Sequence, residues 1–265
     1  MPISDADAPG RSFDPVNKAI IGINLLVFLY ELALGGVGLL FGSDSLRLTT
    51  FFLTWGFIPR ELTLGVPYTS FLSSGDIDTP APTWVTIFTS MFIHGGLLHL
   101  AGNMMFLWVF GNRIEERLGH AMYAAFYLVS GVGATLAHWF IDQSSPVPLV
   151  GASGAIAGVM GAYLFFYPRN RINSIIIFFF ITVVRLSAIW LLGFWFAWQL
   201  FQAVLSIGIS AQVSVAFWAH VGGFVVGIIL AALHKLLFGG SSGPTFLAPP
   251  NRRTPPKYWR GRRLD

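Results

Sequence analysis

The sequence predicts an all-α polytopic membrane protein, a bundle of six transmembrane helices. Three observations carry this. Hydrophobic residues make up 54% of the 265-residue chain and charged residues only 11%, against about 25% charged in an ordinary soluble domain. Six apolar stretches recur, each close to the ~20 residues needed to cross the hydrocarbon core. Finally, Lys and Arg segregate to one side of the topology that those stretches imply.

The first span is expected at 19–41. Its apolar run outlasts a signal-peptide core, and no small-residue cleavage site comes after it, so a span is expected rather than a leader. Residues 42–90 form a long connection, neither fully polar nor apolar enough to cross. It carries Phe51, Phe52, Trp55, Phe57 and Tyr68 among Pro and Gly, a composition suited to the membrane interface. Further spans are expected at 91–111, 121–141, 150–167, 186–207 and 213–234. Residues 172–184 are harder to place. The whole stretch 172–207 is too long for one crossing and too short for two, and Arg185 interrupts it. Residues 172–184 are expected to form a membrane-surface or re-entrant element leading into the fifth helix.

With the N-terminus inside, fourteen of the sixteen Lys and Arg are internal and only Arg47 and Arg60 are external. Both termini are therefore expected in the cytoplasm. Residues 1–18 read as an N-terminal tail, 19–236 as the membrane domain and 237–265 as a basic disordered tail. Seven of the sixteen basic residues fall at or after Lys235. The net charge of +4 is thus largely a property of the tail, which argues against a nucleic-acid-binding fold and for a juxtamembrane charge cluster. The absence of cysteine excludes disulfides, thiolate catalysis and cysteine-ligated metal.

Polar groups inside spans cost free energy and need a reason. Within Gly151-Ala152-Ser153-Gly154, Ser153 opens the fourth helix, among backbone N–H groups that have no helical partner. Taken alone, the motif and the Gly154-xxx-Gly158 pattern favour helix packing. His220, in Ala219-His220-Val221-Gly222-Gly223-xxx-Gly227, is expected at matching depth on the sixth helix, where Gly223 and Gly227 would let it pack on the fourth. A serine needs a base, and this pairing turns the balance towards catalysis. The outer carboxylates Asp44, Glu61, Asp76, Asp78 and Asp142 all lie outside the expected spans, so a Ser-His dyad is expected. In the second helix, His99 and Asn103 share one face and can donate to an oxyanion. A metal site of His94, His99 and His220 is the rival reading, without a carboxylate or cysteine to complete it. Glu31, His138 and Gln199 are expected to make structural hydrogen bonds.

His99-xxx-Asn103, Gly151-Ala152-Ser153-Gly154 and Ala219-His220-xx-Gly223-xxx-Gly227, with Glu115-Glu116-Arg117-Leu118-Gly119, resemble the rhomboid intramembrane serine proteases in order and in helix placement. The resemblance covers about residues 17–236. It implies a six-helix bundle of the rhomboid type in which Ser153 is the nucleophile and His220 the base. It also implies oxyanion stabilisation by His99, Asn103 and the backbone around Gly151 and Ser153, and helix packing at the site through Gly154, Gly158, Gly223 and Gly227. Substrates would be transmembrane proteins cleaved in the lipid bilayer, with no metal, cofactor or nucleic acid. The gate and cap would fall at about 186–218, with Trp195 and Trp198 as bulky gate candidates. Two positions depart from the family pattern: Trp84-Val85-Thr86 stands where many members have Trp-Arg, and Ala157 replaces an aromatic that stacks on the histidine. The alternatives are an inactive relative that binds transmembrane clients and a small transporter or channel. The compactness of the chain suggests a prokaryotic cell membrane, with the site towards the outer face.

Overall fold

The computed structural model describes residues 1–7, 13–42, 45–66, 82–177, 181–207, 215–239, 258–259 and 262–263. Tyr68, Asp44, Asp76 and Asp78 of the first connection, and most of the basic tail, lie outside the described residues.

In chain order, strand β1 (Pro2–Asp5) precedes α1 (Pro15–Gly35), which continues as a 3-10 turn to Phe41. Two short helices come next, α2 (Leu46–Trp55) and α3 (Pro59–Leu64), then α4 (Thr86–Thr89) between 3-10 turns, α5 (Leu97–Leu118) and α6 (His120–Ile141). Beyond them come α7 (Ser153–Phe166), β2 (Arg171–Ile177), β3 (Ile181–Ser187), α8 (Ala188–Leu205), α9 (Phe217–Phe238) and a two-residue ribbon, β4 (Tyr258–Trp259) with β5 (Arg262–Arg263).

All six expected spans are helices, but not all are full-length crossings. The segment from α1 to Phe41, α6, α8 and α9 are each long and apolar enough to cross a membrane. Residues 83–92 and α5 make a fifth crossing only as a pair bent by 81°. With 14 residues, α7 is about 21 Å long, short of the ~30 Å hydrocarbon core. It is instead the axis of the bundle. Every residue from Gly154 to Tyr163 is buried, and α5, α6, α8 and α9 pack around it. The side chains facing outward are apolar, such as Trp190 and Phe194 at 77% and 75% exposure. That is the inverse of a water-soluble surface and fits a lipid solvent.

Glycine sets how close α9 comes to α7. A Cβ on Gly223 would run into the Gly154 carbonyl, and one on Gly227 into the backbone of Gly158. The two helices therefore touch main chain to main chain, as small residues permit in membranes. At the other end of α7, Glu115 of α5 takes the backbone N–H groups of Val16 and Asn17 at 3.0 and 2.7 Å. A fully buried carboxylate from a neighbouring helix thereby caps α1 at its positive end. Asn17 extends the clamp, accepting from Tyr123 Oη at 2.8 Å and donating to the Leu107 carbonyl at 3.2 Å.

Two segments left without a defined form by the sequence become a sheet at this same end. Residues 172–177 and 181–184, expected as a membrane-surface or re-entrant element leading into the fifth helix, are paired in the β2–β3 hairpin from Arg171↔Ser187 to Ile177↔Ile181, which runs directly into α8. The cause is a β-branched run whose side chains alternate, with Ile172 and Ser174 buried and Arg171 exposed. The N-terminal tail expected at 1–18 also contributes here, since β1 adds to the hairpin as a third, antiparallel strand. Asp5 pins that strand, accepting from Tyr163 Oη at 2.5 Å and from Asn170 Nδ2 at 3.3 Å.

The first connection is partly a core element. Leu48 and Phe52 of α2 pack with Phe28, Leu39, Ile93 and Leu100. Its next turn is stitched to the loop that leads into α7: Phe57 and Leu149 exchange backbone hydrogen bonds of 3.0 and 2.7 Å.

Candidate active site

Ser153 is the first residue of α7, and its backbone N–H falls among those an α-helix leaves unpaired. Because α7 is short, space remains beyond its N-terminus. There a cavity of about 1070 Å³ is lined by His99, Asn103, Ser153, Trp195 and His220, among others.

Across the glycine contact, α9 brings His220 to the serine. His220 Nε2 lies 2.7 Å from Ser153 Oγ, although the two residues are 67 positions apart. A hydroxyl hydrogen-bonded to an imidazole can give up its proton as it attacks, which is the arrangement nucleophilic serine chemistry requires. The other ring nitrogen, Nδ1, lies 2.7 Å from Gln199 Oε1 on α8. Trp195, one turn earlier on α8, sets its ring 6.0 Å from the imidazole at 37°. Phe217 meets it edge-on at 6.5 Å. Residues from α8 and α9 therefore take the place left by Ala157, which is fully buried.

On the opposite wall stand His99 and Asn103 of α5. Asn103 is buried, and its Nδ2 donor has no hydrogen-bond partner among the described residues. His99 packs on Gly151, where an added Cβ would come within 2.9 Å of the imidazole. Gly151 also has φ +129°, a backbone region that side chains disfavour. The position is further fixed by its backbone. Its N–H donates to the Ser90 carbonyl at 2.9 Å and is not free for an oxyanion. What it contributes is room for His99 and a tie to the preceding segment.

Glu31 accepts the backbone N–H of His94 at 3.1 Å, so it holds the approach to α5 as a structural residue would. His94 is fully buried, edge-on to His99 with ring centroids 5.1 Å apart. Among the described residues, no three His, Asp or Glu side chains converge as a metal site needs. His138 lines the cavity, but its Nδ1 has no partner among the described residues. Of the two gate tryptophans, Trp195 lines the cavity, whereas Trp198 is half-exposed against Phe201 and does not.

The contact from Gln199 to His220 was missed by sequence reasoning, which gave that amide only a generic interhelical bond. The available signal was its spacing: Trp195 and Gln199 stand four apart and share one helical face.

A family model described as Rhomboid domain matches residues 81–235. The chain is 33% identical over 158 residues to "RHOMBOID-like protein 6, mitochondrial" of Arabidopsis thaliana, covering 59% of this chain and 45% of that protein. It is 29% identical over 166 residues to "Rhomboid protease GluP" of Bacillus subtilis, covering 62% and 29%. To "Rhomboid protein 1, mitochondrial" of Saccharomyces cerevisiae it is 28% identical over 154 residues, covering 55% and 40%. In each case the chain spans less than half the length of the relative it matches.

Proposed function

The chain belongs to the rhomboid family, and from that premise we propose that it is an intramembrane serine endopeptidase working through Ser153 and His220. The observation that carries the proposal is the 2.7 Å hydrogen bond between the α7 hydroxyl and the α9 imidazole, inside a cavity walled by membrane-length helices.

In this mechanism Ser153 Oγ attacks the carbonyl carbon of the scissile peptide while its proton passes to His220 Nε2. The carbonyl electron pair moves onto oxygen. That oxyanion accepts hydrogen bonds from the Ser153 backbone N–H, Asn103 Nδ2 and His99, donors already in place before charge develops. His220 then gives its proton to the departing amine nitrogen as the C–N bond breaks. Water then attacks the acyl carbon of the resulting ester, giving a proton to His220. The C–Oγ bond breaks, His220 returns that proton to Ser153 Oγ, and the carboxylic acid product leaves. The substrate is a membrane-anchored protein cut in or near its transmembrane segment, and the site faces the side opposite both termini. Relatives named mitochondrial stand beside a bacterial one, so the expected prokaryotic compartment gains no support from them.

The test is cleavage of a model transmembrane substrate together with fluorophosphonate labelling, in wild type, Ser153→Ala and His220→Ala. Both activities are expected in wild type and neither in the variants, with thermal unfolding unchanged. Full cleavage by Ser153→Ala would refute the mechanism. A folded wild type that binds transmembrane peptides but neither cleaves nor labels is instead a client-binding relative.

A further inference from the structure

His220 is held at both ring nitrogens, and the second holder comes from a different helix than the first. Nε2 meets Ser153 of α7, while Nδ1 meets Gln199 Oε1 of α8 at 2.7 Å. Four residues of α8 are buried (Ala188, Leu192, Gln199 and Ala203), and Gln199 is the one polar side chain among them. An amide buried in an apolar span is unfavourable unless it is hydrogen-bonded, and here the imidazole is its partner. Trp195, on the same face of α8, lies against the same ring.

An amide oxygen can only accept, so Nδ1 must carry the proton in this contact. That leaves Nε2 as a bare lone pair directed at the Ser153 hydroxyl, the one tautomer able to take its proton. Turning the amide over would put NH₂ against Nδ1 and favour the Nε2–H form, which could only donate to Oγ. The hydroxyl therefore stays acidic towards the ring only while the carbonyl of Gln199 faces Nδ1.

We propose that Gln199 is a positioning residue that locks His220 in the Nδ1–H tautomer, filling with a neutral amide the place where soluble serine hydrolases put a carboxylate. This rests on the protease reading. When Oγ bonds to the substrate carbon and its proton moves to Nε2, the imidazolium keeps Nδ1–H on the Gln199 oxygen. The proton leaves again from Nε2 to the amine, so Gln199 orients the ring without gaining or losing a proton. A neutral acceptor does this without placing a charge in the span.

Two substitutions of similar length separate positioning from packing. Gln199→Met fills the space but removes the oxygen acceptor, and Gln199→Glu keeps an acceptor. If Gln199 positions His220, Gln199→Met lowers kcat roughly 10²-fold with KM within about two-fold, and Gln199→Glu recovers at least ten-fold over Gln199→Met. A packing role reverses that order, because methionine suits an apolar helix and a carboxylate does not; the reversed order overturns the proposal. Thermal unfolding of both variants separates loss of fold from loss of chemistry. Ring-nitrogen NMR, with the His220 signals identified by their loss in His220→Ala, reads the tautomer without turnover. Nδ1–H in wild type and its loss in Gln199→Met support the proposal, whereas Nε2–H in wild type overturns it. A wild type that neither cleaves nor labels overturns the protease reading instead, and the ring-nitrogen spectrum still decides whether Gln199 sets the tautomer.

Discussion

Asn103 presents to the cavity a buried donor without a partner among the described residues, and an unsatisfied amide is costly to keep. The proposed mechanism would account for that cost, because there the donor is paired when charge develops on the substrate oxygen. Asn103→Ala is expected to lower kcat roughly 10²–10³-fold while KM and the unfolding temperature stay near wild type, as steady-state cleavage and a thermal melt would show. A parallel fall in stability would make Asn103 structural. At this scale the sequence was informative where chemistry and depth coincided. Ser153 and His220 each sit on a small-residue helix near the same membrane face, and the fold brings them into contact. It gave no sign of the bond from the Gly151 N–H to the Ser90 carbonyl, because that partner comes from a segment with no legible pattern. It was silent about Gln199, because one amide in an apolar run has the same signature whichever helix it bonds to.

Among the elements, α7 and α9 carry Ser153 and His220, and the two helices meet through glycine. Gly227 faces Gly158 main chain to main chain, so Gly227→Val must push the helices apart. Overpacking of this kind costs about 1–3 kcal/mol. It should also lengthen the reach from His220 to Ser153, so fluorophosphonate labelling should fall further than the melting temperature. Glycines in these helices were readable as packing positions from their four-residue spacing. The sheet was not readable. β1 is four residues, Pro2–Asp5, too short to show alternation, and the apolar run of β2–β3 has the hydropathy of a buried helix. Only its β-branched content separates the two.

Seen whole, the molecule has two unlike ends. One holds the cavity and the loop before α7. The other holds the three-stranded sheet, the Glu115 clamp and most of the described basic residues, among them Arg113, Arg117, Arg171 and Lys235. With no cysteine anywhere in the chain, a single introduced thiol has no background. Ser144→Cys, exposed before α7, and Val183→Cys, exposed on β3, are expected to react with a membrane-impermeant maleimide from opposite sides of sealed vesicles. Labelling of both from one side would overturn the orientation derived from charge. The long apolar stretches made the bundle legible, because lipid solvation writes itself into some 20 residues at a time. The brevity of α7 was hidden, because neighbouring helices rather than lipid surround it.

The pairing of α7 with α9 also has a consequence in time. Ser153 leaves the ribosome 67 residues ahead of His220, which at ~5–20 residues per second is roughly 3–13 s. Throughout that interval the serine has no base, and the glycine face of α7 has no α9 to cover it. Under the proposed mechanism the newborn chain would therefore be unable to cleave while its last helices are still entering the bilayer. The proposed dyad would then be completed only as a last step of assembly.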